Sequence, residues 1–394
     1  MAKPEIRLKG FEEEWEKGVF STYAKPYFVS NKFVHHQNLL SLSYGKIVQK
    51  DINANKGLLP ASFDTYQIVK KGIIVFRFTD LQNDHKSLRV GISKEEGIIS
   101  PAYVCVECDN IDPDFLYLQM HTYDMRKVFY SMGDGMRQTL SYNDVKEMPL
   151  YIPSLSEQRE IVDYFNVLEN NIIAEAENLS KLKQMKSASL ISMFPQKGET
   201  KPRVRFKGFE GDWKKDKAGR LFITFNERNR PDLPVLSANQ DIRGMAPRTD
   251  TGYNISHNKA NEVTYKVVKP GQYVIHLRSF QGGFAHSSVE GITSPAYTVF
   301  GFKDKDMHDD YFWKIVFMSR PFIKSLETIT YGIRDGRSIS FCEFAEMNFL
   351  FPSKQEQQKI ASFFKSLDKQ ISLQEQHLEK LKQIKSACLD KMFV

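Results

Sequence analysis

The chain is written twice, and this limits its fold more than any other feature. PEIRLKGFEEEW at 4–15 returns as PRVRFKGFEGDW at 202–213, an offset of 198. GIISPAY at 97–103 returns as GITSPAY at 291–297, an offset of 194. SYNDVKEMPLYIPSLSEQREIVDYF at 141–165 and LSKLKQMKSASLISMF at 179–194 return, both at an offset of 199, as SFCEFAEMNFLFPSKQEQQKIASFF and LEKLKQIKSACLDKMF. Each repeat is far longer than a solenoid unit and holds a globular part plus a long helix, so two copies make a tandem of modules and not an array. The ends of the halves are alike and the centres differ. A binding module duplicated to read two different targets has this pattern, and a duplication without functional meaning gives no reason for it.

The segments after Pro153 and Pro352 are expected to be helices, because each Pro is followed by Ser154 or Ser353 and then by Glu/Gln within three or four residues. Ile161, Phe165, Leu168, Ile172, Leu179 and Leu182 follow a 4-3 spacing, interrupted only by Glu175. Ile360, Phe364, Leu367, Ile371, Leu378 and Leu381 repeat it, interrupted by Gln374. This is an a/d heptad seam. Beyond Leu182 and Leu381 the strict heptad brings up Lys186 and Lys385, so the apolar face is expected to change phase, to Met185 and Ile384 and then to Leu190 and Leu389. About 38 residues of helix span roughly 55–60 Å, more than one small domain can cover. The two like seams are therefore expected to pair with each other, antiparallel, since the second globular part lies between them in the chain.

The globular parts, about 16–150 and 214–350, read as mixed and strand-rich. The stretches 72–78 and 271–278 look like equivalent buried strands, each ending in an arginine, and 103–106 and 297–300 make a second pair. Short helices are expected to begin at Asp114 and Asp310, and Gly/Arg turns fall at 133–137 and 332–337. The stretch 194–207, with Pro, Gly and several basic residues, reads as a linker.

Composition narrows the class without naming a function. The 394 residues suffice for two or three domains, and 41% hydrophobic with 26% charged residues is the balance of a soluble globular protein. No apolar run reaches the roughly 18 residues of a membrane span, and the N-terminal residues lack the apolar core of a secretory signal. Four cysteines in a chain of this size make no disulfide framework, so a cytoplasmic location is expected. The net charge of +7 suits a polyanionic partner but does not require one.

Catalytic motifs are missing. A methyltransferase needs a glycine-rich cofactor loop and an Asn/Asp-Pro-Pro-aromatic motif, and ATP-driven motion needs a Gly-x-x-x-x-Gly-Lys-Ser/Thr loop; the sequence has none of these. A nuclease core drawn from Asp114 and Asp144-Val145-Lys146 fails in the second half, where Glu343-Phe344-Ala345 stands in place of the lysine-bearing stretch. Cys105 and Cys108 form a C-x-x-C, but a structural zinc needs four ligands and Val299 and Phe302 take the matching places. They read as buried strand cysteines. His35, His36 and His257 read as solvated loop histidines. No metal site is expected.

The paired KGFE-x-x-W openings, SPAY cores, P-S-x-x-EQ-x-x-I helix starts and K-L-K-Q-x-K-S-A-x-L-x-x-M-F helix ends resemble those of specificity subunits of Type I restriction–modification systems, over nearly the whole chain. The first domain begins almost at Met1, so a short leader of the kind seen in relatives is expected to be missing. The resemblance implies an α+β fold of two mixed strand-rich target-recognition domains, separated and followed by long α-helices that pair as an antiparallel coiled coil, with an internal two-fold repeat. The expected boundaries are 1–153, 154–194, a linker at 195–207, 208–352 and 353–394. The resemblance further implies that each domain reads one half of a bipartite double-stranded DNA target. The helices would act as a ruler and as docking sites for two modification (methyltransferase) subunits, with restriction subunits joining outside. S-adenosylmethionine, ATP and Mg would act in those partners, and this chain would hold no cofactor, no catalytic site and no membrane contact.

DNA affinity needs Lys/Arg on phosphates and specificity needs side chains at base edges, with Arg suited to guanine and Asn or Gln to adenine. Loops after equivalent strands carry such residues. In the first half they are Tyr44, Lys46, Arg77, Thr79, Gln82, Asn83 and Arg137; in the second, Asn239, Gln240, Arg278, Ser279, Gln281, Arg334 and Arg337. Arg77 is matched with Arg278, and Arg137 with Arg334 or Arg337. The rival readings are a self-contained enzyme, opposed by the missing motifs, a helical scaffold that binds only protein, opposed by centres rich in Arg, Asn and Gln, and the recognition subunit of an orphan adenine methyltransferase, which the sequence leaves open.

Overall fold

The computed structural model describes residues 3–53, 59–60, 62–79, 81, 88–132, 139–239, 244–251, 259–276, 283–326 and 339–394. The two expected helices are there as single elements, Leu155–Ser192 and Lys354–Lys391. The chain divides into two units, Met1–Ala176 with Gln376–Val394, and Glu177–Glu375. Each unit therefore holds one globular part and a stretch of both long helices.

Both helices start by the same device. The Ser154 hydroxyl accepts the Glu157 N–H at 3.4 Å and the Ser353 hydroxyl accepts the Glu356 N–H at 3.5 Å, the usual work of an N-cap. Gln158 Nε2 donates to the Pro153 carbonyl at 2.9 Å while its Oε1 accepts the Asp112 N–H at 2.9 Å. Gln357 does the same with Pro352 at 2.9 Å and Asp309 at 3.0 Å. Asp112 and Asp309 in turn cap the helices Pro113–Met125 and Asp310–Met318, so one buried glutamine ties two helix starts together in each unit.

The repeated opening motif closes on the same place. In the first unit Arg7 meets the buried Glu157 carboxylate with both ends of its fork, 2.7 Å each, and Trp15 Nε1 donates to it at 3.3 Å. In the second, Arg205 meets buried Glu356 at 2.7 Å twice. The helix ends are docked alike. Phe393 packs on Trp15, Phe115 and Phe165 in the first unit, and Phe194 packs on Trp213, Phe312 and Phe364 in the second. The Ile6 N–H donates to the Lys391 carbonyl at 2.9 Å, and Val204 does so to Ser192 at 2.9 Å. The stretch 194–207 carries no helix or strand, yet Phe194, Arg205 and Phe206 fasten it into the second unit.

The seam residues are inward. Ile161, Phe165, Leu168, Ile360, Phe364, Leu367 and Leu378 are buried, and Ile172, Leu179, Leu182, Ile371 and Leu381 are half-buried. The pairing is antiparallel. In the first unit Tyr164 meets Cys388 at 3.4 Å and Glu169 meets Lys385 at 2.6 Å; in the second, Lys183 meets Glu375 at 2.7 Å and Lys186 meets Asp368 at 2.6 Å. Numbers rise on one helix as they fall on the other. The expected change of phase occurs only in part: Leu190 packs against the core of the second unit and Leu389 is buried in that of the first, as expected, but the earlier pair does not turn inward. Met185 and Ile384 are exposed, whereas Lys186 and Lys385 stay half-buried at the heptad positions, and Ser189 and Cys388 continue the count. A lysine can hold a seam position because its aliphatic stem packs while its ammonium reaches an acid on the facing helix.

The globular parts share a frame. In the first unit one antiparallel sheet runs Ala24–Pro26, Val104–Cys108, Ile74–Phe76, Val90–Ile92, and a second runs Lys46–Lys50, Leu39–Ser43, Gly97–Ile99, Gln67–Val69, with one parallel contact between Leu39 and Ile98. The second unit repeats the first four strands as Phe222–Phe225, Thr298–Phe302, Tyr273–Ile275 and Phe284–His286. There the hairpin Leu236–Asn239/Gly244–Pro247 joins the same sheet through Gly244 and His286. The SPAY motif's glycine has a steric cause. A Cβ on Gly97 would sit 2.6 Å from the Asn38 carbonyl oxygen and 2.7 Å from Leu40, and one on Gly291 would sit 2.6 Å from the Pro234 carbonyl oxygen and 2.5 Å from Leu236. Cys105 and Cys108 lie on one strand and face different apolar clusters. Burial pushes both thiols up to about 12. His35 is exposed, but His36 is half-buried and its Nδ1 accepts the Asn38 N–H at 3.2 Å; His257 lies outside the described residues.

Candidate nucleic-acid interface

The first unit presents its described candidates on two loops. One is the tip of the hairpin Leu39–Ser43/Lys46–Lys50, where Tyr44 adopts a left-handed φ of 47° and is 74% exposed. Gly45 follows at φ 77°, its carbonyl accepting the Tyr117 hydroxyl at 3.3 Å. The tip is held against the first long helix, because Lys46 Nζ meets Glu169 at 3.1 Å. Glu169 is thus bracketed by Lys46 and Lys385. Burial alone would raise its pKa, but the two ammoniums outweigh it and hold the carboxyl below its usual range. The charge of Lys46 is matched within the protein, which weakens its case as a phosphate contact.

The other loop leaves the strand Ile74–Phe76. Arg77 shares a strand face with Val75, by alternation, and is half-buried; Thr79 is half-buried two residues on. The Leu140 N–H donates to the Phe78 carbonyl at 3.1 Å, so the chain that follows the Gly/Arg turn returns beside this loop. Gln82, Asn83 and Arg137 lie outside the described residues, as do Gln240, Arg278, Ser279, Gln281, Arg334 and Arg337.

In the second unit Asn239 ends the strand Leu236–Asn239, opposite Gly244, and is half-buried. Arg248, which sequence reasoning passed over, donates to Ser237 Oγ at 3.2 Å and so stands beside this hairpin. The match of Arg77 with Arg278 is corrected by the strand register. Gly72 at φ 90° beside Pro113 corresponds to Gly271 at φ 82° beside Asp310. The Arg77 N–H donates to the Arg89 carbonyl at 2.8 Å as the His276 N–H donates to the Gly283 carbonyl at 2.9 Å. Arg77 therefore corresponds to His276, and Thr79 to Arg278. In the sequence count Arg278, outside the described residues, falls opposite Thr79, so the two halves carry a basic residue type at different positions after this strand. The constant 199-residue offset from Gly72 to Gly271 was the available signal.

Among the described residues no group of three or more His, Cys, Asp or Glu side chains could hold a metal ion, and no helix is long and apolar enough to cross a membrane.

Comparison with known proteins agrees with this architecture. No curated protein matches the chain. Among solved structures, a Type I restriction–modification system S subunit from M. genitalium is 13% identical, covers 100% of this chain and 99% of its own, and superposes with a TM-score of 0.57. A chain solved in work on complex assembly and conformational transition of the type I R-M system is 16% identical, covers 98% of this chain and 99% of its own, and gives 0.52. At these identities the likeness is one of fold. The family model for the Type I restriction modification DNA specificity domain matches twice, over residues 8–184 and 212–383. With both halves matched, the chain belongs to the family of Type I restriction modification DNA specificity domains.

Proposed function

We propose that this chain is the sequence-reading subunit of a Type I restriction–modification complex, in which each unit reads one half of a bipartite duplex DNA target. The paired helices set the separation of the half-sites and dock two modification subunits, with restriction subunits outside them. The chain itself is non-catalytic, and S-adenosylmethionine, ATP and Mg act in the partners. One contrast carries the reading. The helix starts, the arginine–glutamate latches and the helix ends repeat, while the loop positions change identity in the sequence from one half to the other: Ser43 against Asn239, Tyr44 against Gln240, Arg77 against His276, Thr79 against Arg278. A scaffold that bound only protein would have no use for unlike loops on a like frame. Phosphate contacts would fix register and supply the salt-dependent part of affinity, and base-edge contacts would differ between halves.

The test is selection of duplexes from a random-sequence pool by the full-length chain at fixed salt. Two short conserved blocks separated by a fixed unconserved spacer are expected. A single contiguous block, or recovery without sequence preference, would overturn the proposal.

A further inference from the structure

We infer that Arg89 is a positioning residue for DNA reading by the first unit: its buried guanidinium fixes the backbone that carries Arg77 and Thr79. The inference rests on the function proposed above and names a residue that acts through others.

Arg89 is 0% exposed, a rare state for arginine. Its Nη1 donates to the Thr79 carbonyl and, at 3.5 Å, to the Arg77 carbonyl. Nε lies 3.4 Å from the Tyr130 hydroxyl, and the guanidinium carbon stands 5.8 Å from the centre of the Tyr130 ring. The Arg89 N–H donates to the carboxylate of Asp124, itself 0% exposed at the end of the helix Pro113–Met125. Burial pushes the Asp124 carboxyl up, and that N–H opposes the shift. Three parts of the unit thus meet at one residue: the chain leaving Ile74–Phe76 and the short turn Val128–Ser131 that holds Tyr130 at its side chain, and the end of the helix at its backbone N–H.

The fold alone does not call for an arginine here. A buried cation is costly to desolvate, and apolar side chains of similar volume often serve stability as well or better. The second unit makes the point within the same molecule. Gly283 stands at the Arg89 register position, the neighbouring strand residue Phe284 packs on Phe317, Phe322 and Phe344, and the sheet closes in the same order. What an arginine adds, and a hydrocarbon does not, is a planar set of donors that fixes carbonyls two residues apart. Those carbonyls belong to the two described candidate reading residues of this loop.

The experiment repeats the duplex selection with full-length R89M, R89K and Y130F beside the unaltered chain. R89M is expected to keep the second half-site unchanged and to lower the preference for the first by tenfold or more. R89K, with one ammonium where a fork is needed, should blur the first half-site as well, and Y130F should do so by about threefold. Unchanged preference for the first half-site in R89M overturns the inference and leaves the proposed function standing. No sequence preference in the unaltered chain overturns the proposed function instead. Amide exchange on the strand Ile74–Phe76 reports whether R89M still folds. If it does not, R89K and Y130F decide, and an unaltered first half-site in both overturns the inference.

Discussion

The two units solve one folding problem with the same joints and different floors. In both, a fork of arginine seats a buried glutamate at a helix start, a glutamine ties that start to a second helix, and a phenylalanine two residues past the end of the other long helix packs beside a tryptophan. Beneath the candidate reading loops the likeness ends. The first unit carries Arg89, Asp124 and Tyr130 there. The second has Gly283 at the Arg89 position, followed by Phe284, which packs among Phe300, Phe317, Phe322 and Phe344. The difference shows which contacts the architecture requires. Joints that hold a long helix to a globular part admit little change, since each satisfies a buried charge or several buried polar groups at once. A floor needs only to fill its volume, so its chemistry is free to follow the loop above it.

The joints offer the largest test of that comparison. Removing Arg205 leaves Glu356 buried and unmatched, and breaking a buried pair from one side costs ~3–5 kcal/mol. Position near a helix N-terminus softens the loss somewhat. The first unit should lose less on Arg7→Ala, because the Trp15 indole still donates to Glu157 at 3.3 Å. Trp213 Nε1 has no hydrogen-bond partner among the described residues. A hydrogen bond to a charged group contributes about 1.5–3 kcal/mol, so R205A should exceed R7A by roughly that amount or a little less. Denaturant unfolding followed by unit-resolved amide exchange measures both. Equal losses would mean that the indole contributes nothing, and losses under about 1 kcal/mol in both would remove the latch from the list of required joints.

Acid separates the units by a smaller effect. Burial lowers the His121 imidazole of the first unit to about 4, with help from the nearby Lys385 ammonium, and burial lowers His308 of the second to about 4. Both rings are neutral when folded at neutral pH, whereas the unfolded imidazole titrates near ~6.5. Between about 6.5 and 4 the unfolded chain holds protons that the folded chain does not, so stability falls as pH falls through that window and is fully present above it. Each histidine has a natural replacement in the other unit. Met318 stands where His121 does, and Ile111 where His308 does, counting from the helix caps Asp112 and Asp309. H121M should flatten the acid slope of the first unit alone and H308I that of the second alone, each by up to about one proton. H308I also strips Trp313 Nε1 of the acceptor it meets at 3.3 Å, which shifts stability at every pH, so the slope is the readout. Slopes unchanged in both variants would place the acid sensitivity elsewhere.

The helices and their pairing were legible in the sequence because a heptad pattern is local and repeated. The lysines were misread because an apolar-only rule treats Lys186 and Lys385 as breaks, while the acids that receive them, Asp368 and Glu169, lie on the other helix. The KGFE-x-x-W motif was visible as a repeat but not as a latch, since Arg7 finds Glu157 150 residues away. Arg77 was paired with Arg278 by residue type, where counting from Gly72 and Gly271 gives His276. Arg89 left no trace to follow. Its role depends on what replaces it, and the centres diverge too far for Gly283 to be matched without the strand register.

The smallest expected effect comes from moving the chain's opening from one joint to the other. In the first unit the chain's opening meets the helix end without a covalent link, through the Ile6–Lys391 backbone hydrogen bond of 2.9 Å and the ion pair of Lys391 with Glu5. In the second, Val204 and Ser192 make the same bond at 2.9 Å with the chain running through. The segment Gln196–Thr200 does the connecting there. A permuted chain can begin at Lys201, end at Pro195, and carry a copy of QKGET between Val394 and Lys3. The closed loop keeps its length and changes only its unit, and loop-closure cost depends on length, so the two terms nearly cancel. The permuted chain should then unfold within about 1 kcal/mol of the original and select the same two half-sites. Early loss of amide protection in the second unit alone would mean that the stretch 194–207 holds Phe194 and Arg205 in place by its continuity. The two joints would then be alike in contacts but not in strength.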